Sequence, residues 1–340
     1  MSYEEIIKEN CKNCKRHWWP KFAYHFTDVS NVVSILTTGY LYSRVKAKEY
    51  QLMQNDNASR QVINMTDSGS ISKVRFYFRP LTPTQYYTEG FKHAALRYED
   101  DSYANVPVPI FFLFRLEKML KMKDMCFSEK SQAGHGGPIY QGEEQFRQLD
   151  FSKIYSDGYC DKETRQFRHA ELLYPNAFPI NSCLEIILCR NEIEKSTLLN
   201  LLKIEAPKCF YEYKDKIKVC KENLFENNGL FVTGFTYQQA SFSFSFSDTF
   251  AKHSYEKARL EEKKITCLDT IKGEVRFEWF RNNSSLHKTS SMVELTNDIK
   301  FLTFNNIPFI PNAKVLRVEL LFEDKLICFV EQNIENIELL

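Results

Sequence analysis

The chain has 340 residues, with 45 Lys and Arg against 44 Asp and Glu and a formal net charge of +1. It is therefore no polycation, and any contact with nucleic acid has to come from a local basic patch. At 43% hydrophobic and 26% charged it has the balance of an ordinary globular protein, with room for one large or two medium domains.

Residues 1–20 read as a polar lead-in. Met1–Asn10 lacks the apolar stretch of a secretion signal, and ten cysteines without framework spacing suit a reducing compartment, so a cytoplasmic location is expected. Cys11, Cys14 and His17 have a spacing that could seed zinc, but no second Cys/His pair follows, and no metal is expected. Trp18-Trp19-Pro20 is read as packing onto the core.

Phe22–Phe26 alternates as a strand. Asp28 or Ser30 can cap the following helix, whose apolar face is Val32, Val33, Ile35 and Leu36. Gly39 stands where a left-handed residue closes such a helix, and Leu41–Ser43 begins another strand. Residues 44–73 are polar and aperiodic, a long stretch of the kind that is often functional, and Arg60 lies within it. Val74–Phe78 is a strand stopped by Pro80, and Pro107–Arg115 a nearly continuous apolar strand. Its run Ile110–Phe114 is the longest apolar stretch and too short to span a bilayer, so no membrane is expected. Residues 128–165 form a second long loop region, with Gly134-His135-Gly136-Gly137-Pro138 as its most flexible point. Glu171–Tyr174 and Cys183–Cys189 read as strands, Glu192–Leu202 as a helix and Cys209–Tyr213 as a last strand.

Beyond residue 213 the character changes. Ser241–Phe246 alternates Ser and Phe without a break, residues 248–263 look like a charge-rich amphipathic helix, and Glu274–Phe280 and Val315–Val330 hold further strands. The expected division is a lead-in over 1–20, one domain over 21–213 and a β-rich α+β module over 214–340. With 28 Phe and 18 Tyr, much β-structure is expected.

Three separated segments then stand out. The first is Tyr24-His25-Phe26-Thr27, followed by Asn31, Ile35-Leu36, Gly39 and Leu41. The second is Arg75-Phe76-Tyr77-Phe78-Arg79-Pro80, and the third is Arg168-His169-Ala170-Glu171-Leu172-Leu173. In this order they resemble the DarT family of ADP-ribosyltransferase toxins, which use NAD+ to modify bases in single-stranded DNA. The resemblance covers roughly residues 20–213. It implies an α+β fold built on the ADP-ribosyltransferase-like split β-sandwich with helices, to which the C-terminal β-rich module is an extension. No Gly-rich Rossmann or P-loop turn is present, which agrees with a fold that binds NAD+ in a cleft.

The resemblance also implies roles. ADP-ribosyl transfer breaks the bond from nicotinamide to ribose through a cation-like sugar, so a carboxylate near the ribose is needed, and Glu171 is the expected one. Arg60, placed before the Phe-Tyr-Phe strand, aligns with the family's catalytic arginine. His25 and Thr27 match the His-x-Thr motif and point to one side of a strand. With Asn31, Gly39, Tyr77 and Phe78 they are the expected NAD+ contacts. His135, Arg165, Arg168 and Arg79 are expected to meet the nucleic acid, with Tyr140, Phe146 and Tyr155 as stacking rings. The sequence departs from the family's Pro-Arg-Ser-Pro-Met with Pro80-Leu81-Thr82-Pro83-Thr84, leaving Arg75 or Arg79 to replace the missing arginine.

The leading expectation is a toxin of a toxin–antitoxin or anti-phage system that ADP-ribosylates a base of single-stranded DNA, restrained by a macrodomain antitoxin. An RNA acceptor is the first alternative. The second is a catalytically inactive binding module for nucleic acid or protein on the same fold. Residues 214–340 could also dock an antitoxin, a chaperone or a phage trigger through the Phe-rich strand edge, or those rings could simply fill the module's own core.

Overall fold

Strands stand near Phe22–Phe26, Leu41–Ser43, Val74–Phe78, Pro107–Arg115, Glu171–Tyr174 and Cys183–Cys189, where the sequence places them, and three short ones, Cys126–Ser128, Ala177–Pro179 and Ile217–Val219, join them without a clear signal of their own. In chain order they are β1 (Phe22–Asp28), β2 (Tyr40–Tyr42), β3 (Lys73–Tyr77), β4 (Pro109–Arg115), β5 (Cys126–Ser128), β6 (Glu171–Pro175), β7 (Ala177–Pro179), β8 (Leu184–Cys189) and β9 (Ile217–Val219). This is a computed structural model, and it describes residues 1–55, 68–98, 105–132, 137–238 and 240–334. Seven of these strands make one sheet in the order β5-β6-β3-β1-β4-β8-β9, while β2 and β7 pair separately. All neighbours in the large sheet are antiparallel except β8 and β9. β4 is buried along Pro109–Phe114, as its unbroken apolar run requires of a strand covered on both faces.

Helices cover the sheet. Asp28 caps the helix Val29–Thr38 by accepting from the Ser30 amide, and Gly39 ends it in the left-handed region at φ 72°. The lead-in is more ordered than its polarity suggested. Tyr3–Asn13 is a helix with a Ser2/Glu5 capping box, and it buries Tyr3, Ile6 and Ile7 against the core. Cys209–Tyr213 belongs to a helix, Pro207–Tyr213, and not to a strand. Pro207 starts it, and Cys209 and Tyr213, four residues apart, share its buried face. The polar stretches also hold short helices, Arg44–Glu49 in the first and Glu143–Arg147, Phe151–Ile154 and Lys162–Phe167 in the second.

The remaining strands are β10 (Val232–Gln238), β11 (Ser241–Phe246), β12 (Ile271–Arg281), β13 (Ser284–Leu295), β14 (Phe301–Phe304), β15 (Val315–Phe322) and β16 (Lys325–Asn333). They form two sheets, β10-β11-β14 and β13-β12-β15-β16, enclosing a second apolar cluster. The helix Phe250–Lys263 stands where the charge pattern placed it. Phe242, Phe244 and Phe246 all point into that cluster, and β11 is hydrogen-bonded on both edges. Its edge is thus not open to a partner, which overturns the docking expectation for that strand: the rings fill the module's own core. The architecture is mixed α+β, as expected.

Candidate active site

β1 lies between β3 and β4, and β6 lies beyond β3. This order brings Tyr77 opposite both Tyr24 and Glu171. Alternation places His25 with Thr27 on one face of β1, and Lys73, Arg75 and Tyr77 on one face of β3. These five residues line a cleft of about 250 Å³, together with Asn31, Asn55, Thr84 and Thr88 and an apolar floor that includes Ile35, Leu41, Leu52 and Val74.

Glu171 sits at the start of β6 and is only 1% exposed. Arg75 holds it in a bidentate pair, Nε to Oε2 at 2.8 Å and Nη2 to Oε1 at 2.6 Å. The backbone N–H of Gln132 also favours the charged form of this carboxylate. Burial pushes this carboxyl above its ordinary range, Arg75 and the Gln132 amide pull it down, and burial prevails. The Tyr77 phenol is raised by burial and by the nearby Glu171, while Arg75 and Thr84 beside it pull it down.

His25 is held by a hydrogen bond from its Nδ1 to the Arg75 carbonyl, 3.2 Å away. Burial pushes its pKa down to about 4, so the ring is neutral at physiological pH. With Nδ1 facing a carbonyl, the proton belongs there, and Nε2 is left as an acceptor. Asn31 lines the cleft and also holds its wall together. Its Nδ2 donates to Thr27 Oγ1 (3.1 Å) and the Asn55 carbonyl (2.8 Å), and its Oδ1 accepts from the Gln54 and Asn55 amides (2.9 and 3.0 Å). The side chain thus ties the end of β1 and the segment 54–55 into one wall of the cleft.

Several expected site residues lie elsewhere. Phe78 is fully buried against Phe146, because strand alternation turns it away from Tyr77. Arg79 is 2% exposed, stacks on Trp19, and donates to the carbonyls of Pro80, Ile154 and Ser156, so it is a core clamp and not a nucleic-acid contact. Gly39 makes the turn, while its neighbours Thr38 and Tyr40 reach the cleft. Arg168 donates to Ser156 Oγ and the Gly158 carbonyl and so braces the loop before β6. Arg165 is exposed on the helix Lys162–Phe167. Phe146 and Tyr155 are core rings, and Tyr140 pairs with Phe127. Arg60 and His135 lie outside the described residues.

Arg75 is the residue that sequence reasoning undervalued. The available signal was its spacing of two from Tyr77, which puts both on one strand face. Thr84 and Thr88 carried no signal at all. Among the described residues no group of three His, Cys, Asp or Glu is placed to hold a metal. His17 Nδ1 instead faces the Cys11 carbonyl, and Cys14 is buried. No helix among the described residues is long and apolar enough to cross a membrane.

Residues 24–215 match the family model described as ssDNA thymidine ADP-ribosyltransferase, DarT. Among solved structures, the chain is similar to Thermus sp. 2.9 DarT in complex with carba-NAD+, at 20% identity over 61% of this chain and 98% of that one, with a TM-score of 0.47. The same protein in complex with ADP-ribosylated ssDNA matches at 18% identity over 60% and 94%, with a TM-score of 0.47. Thermosipho africanus DarTG in complex with ADP-ribose matches at 14% identity over 56% and 51%, with a TM-score of 0.43. No curated protein matches.

Proposed function

Since the chain belongs to the DarT family of NAD+-dependent ssDNA ADP-ribosyltransferases, matched over residues 24–215 of its 340, we propose that it transfers ADP-ribose from NAD+ to a base of single-stranded DNA. The observation that carries the assignment of roles is the Glu171–Arg75 pair beside one cleft lined by His25, Thr27 and Tyr77.

In this reading the bond from nicotinamide to the ribose C1′ breaks, and nicotinamide departs neutral with the bonding pair. A base atom then bonds to C1′, and the proton it gives up passes to the Glu171 carboxylate. Glu171 supplies the negative charge that the cationic sugar needs, in a site shielded from water where that charge counts most. Arg75 keeps the carboxylate ionised and aimed. His25 Nε2 and Thr27 Oγ1 offer an acceptor and a hydroxyl to the ribose or the carboxamide, and the Tyr77 ring offers a stacking face. Lys73 and Arg44, at the same cleft, suit the diphosphate. Arg60 is assigned to the acceptor side by its place in the family's motif. The cleft is smaller than the roughly 300–1,000 Å³ of a full cofactor site, so it suits the nicotinamide–ribose end.

As a toxin, the enzyme would be held in check by a macrodomain antitoxin that removes the mark. RNA is the competing acceptor, since Leu81 stands where the family's arginine would be. The deciding experiment incubates pure protein with NAD+ and mixed-sequence single-stranded DNA or RNA, read by mass spectrometry. A gain of one ADP-ribose on DNA, absent in Glu171→Ala, is the expected result. A gain on RNA alone would replace the acceptor, and intact NAD+ with unmodified polymers would overturn the enzymatic reading.

A further inference from the structure

Residues 216–340 lie beyond the matched transferase region, yet one stretch of them is zipped to the wall of the cleft. The short helix Pro83–Thr88 turns Thr84 and Thr88 toward the cleft. Residues Gln85 and Glu89, also four apart, lie on another face, fully buried. The Glu89 carboxylate accepts from Gln85 Nε2 (2.6 Å), the Glu226 amide (2.8 Å) and the Asn227 amide (2.9 Å), and Arg190 Nη1 lies 3.4 Å away. Gln85 Nε2 also donates to the Leu224 carbonyl at 2.7 Å, and Asn228 Nδ2 to the Tyr86 carbonyl at 2.8 Å. Lys92 Nζ donates to Asn228 Oδ1 and O, and Phe91 and Leu230 exchange both backbone bonds. Between these contacts the two backbones touch. A Cβ on Gly229 would stand 2.8 Å from the Glu89 carbonyl, and Gly90 takes φ 74°, so neither position admits a side chain without movement.

A helix of six residues has no stability of its own, so its position must come from tertiary contacts. On the cleft side Thr84 lies beside Tyr77. On the far side, the helix and the residues just after it carry the whole array to 224–230. A second tie runs to the opposite wall. Lys325 Nζ of β16 and Asn55 Nδ2 both donate to the Asn105 carbonyl (3.4 and 3.1 Å), and Asn55 is the residue that Asn31 holds.

We infer that the C-terminal residues are a working part of the NAD+ cleft: the segment Leu224–Leu230 sets the helix Pro83–Thr88 in place, with Glu89 as the positioning residue. The inference rests on the proposed use of this cleft for NAD+. It gives residues beyond the transferase region a task at the cleft: the segment leading into β10 braces the helix that walls it, and β16 reaches the other wall through Asn105.

The test is Glu89→Gln in the full chain. Gln presents an NH2 where two of the four donors now meet one oxygen, either Gln85 Nε2 with the Glu226 amide at Oε2 or the Asn227 amide with Arg190 Nη1 at Oε1, so two buried N–H groups lose their acceptor. The expected result is a cooperative unfolding transition, a KM for NAD+ and a Kd for carba-NAD+ raised about tenfold or more, a smaller change in kcat, and faster amide exchange at Tyr86 and Glu89. Met292→Lys, on exposed β13 of the same C-terminal unit, should change none of these. If Glu89→Gln does not fold, Asn228→Ala, which removes the bond to Tyr86, is read in the same way. A folded variant with unchanged KM, Kd and helix exchange would overturn the inference. If the wild-type protein itself ignores NAD+, the function fails instead, and the exchange of the helix still decides whether 224–230 positions it.

Discussion

Arg75→Met is the most informative single change at the site, because it removes a charge while keeping an unbranched side chain. Glu171 is 1% exposed and Arg75 25%, so the pair is shielded from solvent on one side and partly on the other. With charge centres about 4 Å apart and an effective dielectric near 20, the lost attraction is about 4 kcal/mol. That agrees with the roughly 3–5 kcal/mol typical of stripping one partner from a buried pair. The Gln132 amide remains, and the variant escapes part of the penalty by protonating Glu171. Burial already raises this carboxyl. A carboxyl raised in the folded state gives its full contribution to stability below the ordinary carboxylate pKa, and loses it as pH rises through the folded value. Without Arg75 the folded value climbs further. The destabilisation should therefore be about 3–4 kcal/mol near pH 8 and smaller near pH 5. The acid limb of kcat/KM should move to higher pH. Denaturant unfolding at both pH values and a pH–rate profile of NAD+ cleavage measure these. A destabilisation under about 1 kcal/mol at both pH values, with an unmoved limb, would refute the view that Arg75 keeps Glu171 charged.

Four further outcomes follow from the geometry. Asn31→Ala breaks four hydrogen bonds and should raise the KM for NAD+ while costing about 1–3 kcal/mol in denaturant unfolding; a normal KM would remove Asn31 from the cleft wall. Phe78→Ala should cost about 3–5 kcal/mol, with the KM of the folded fraction unchanged, and a selective rise in KM would return Phe78 to the cofactor. Gly39→Ala meets no atom within 4 Å, so its cost is conformational only, about 1 kcal/mol by thermal melting, with catalysis intact. His25 and His169 are both pushed down from 6.5 to about 4 by burial, and a base lowered on folding stabilises fully above its ordinary pKa. Stability should therefore fall as pH drops from 6.5 toward 4, with no activity limb at the ordinary histidine value; a limb near 6.5 that vanishes in His25→Gln would show the ring to be wet.

The signals legible along the chain are local. The alternation of Phe22–Phe26, the Asp28 cap, the left-handed Gly39 and the stop at Pro80 each act within a few residues, and they place the motif His25–Gly39 at the end of a strand and along its helix. The same locality made the order of motifs readable as a family. It also misled in places. The aromatic run Cys209–Tyr213 reads as a strand until Pro207 and the i,i+4 burial of its ends are weighed, and the charged first residues hide the apolar stripe Tyr3, Ile6 and Ile7. Period two separates Tyr77 from Phe78, yet it does not say which face meets a cleft. Tertiary structure alone decided that. It set Arg75 against Glu171, 96 residues away, turned Arg79 into the core, and laid 224–230 against the helix that walls the site. Strand order and the packing of remote segments are chosen by the burial of whole faces and the pairing of buried charges, energies that belong to no short stretch of chain.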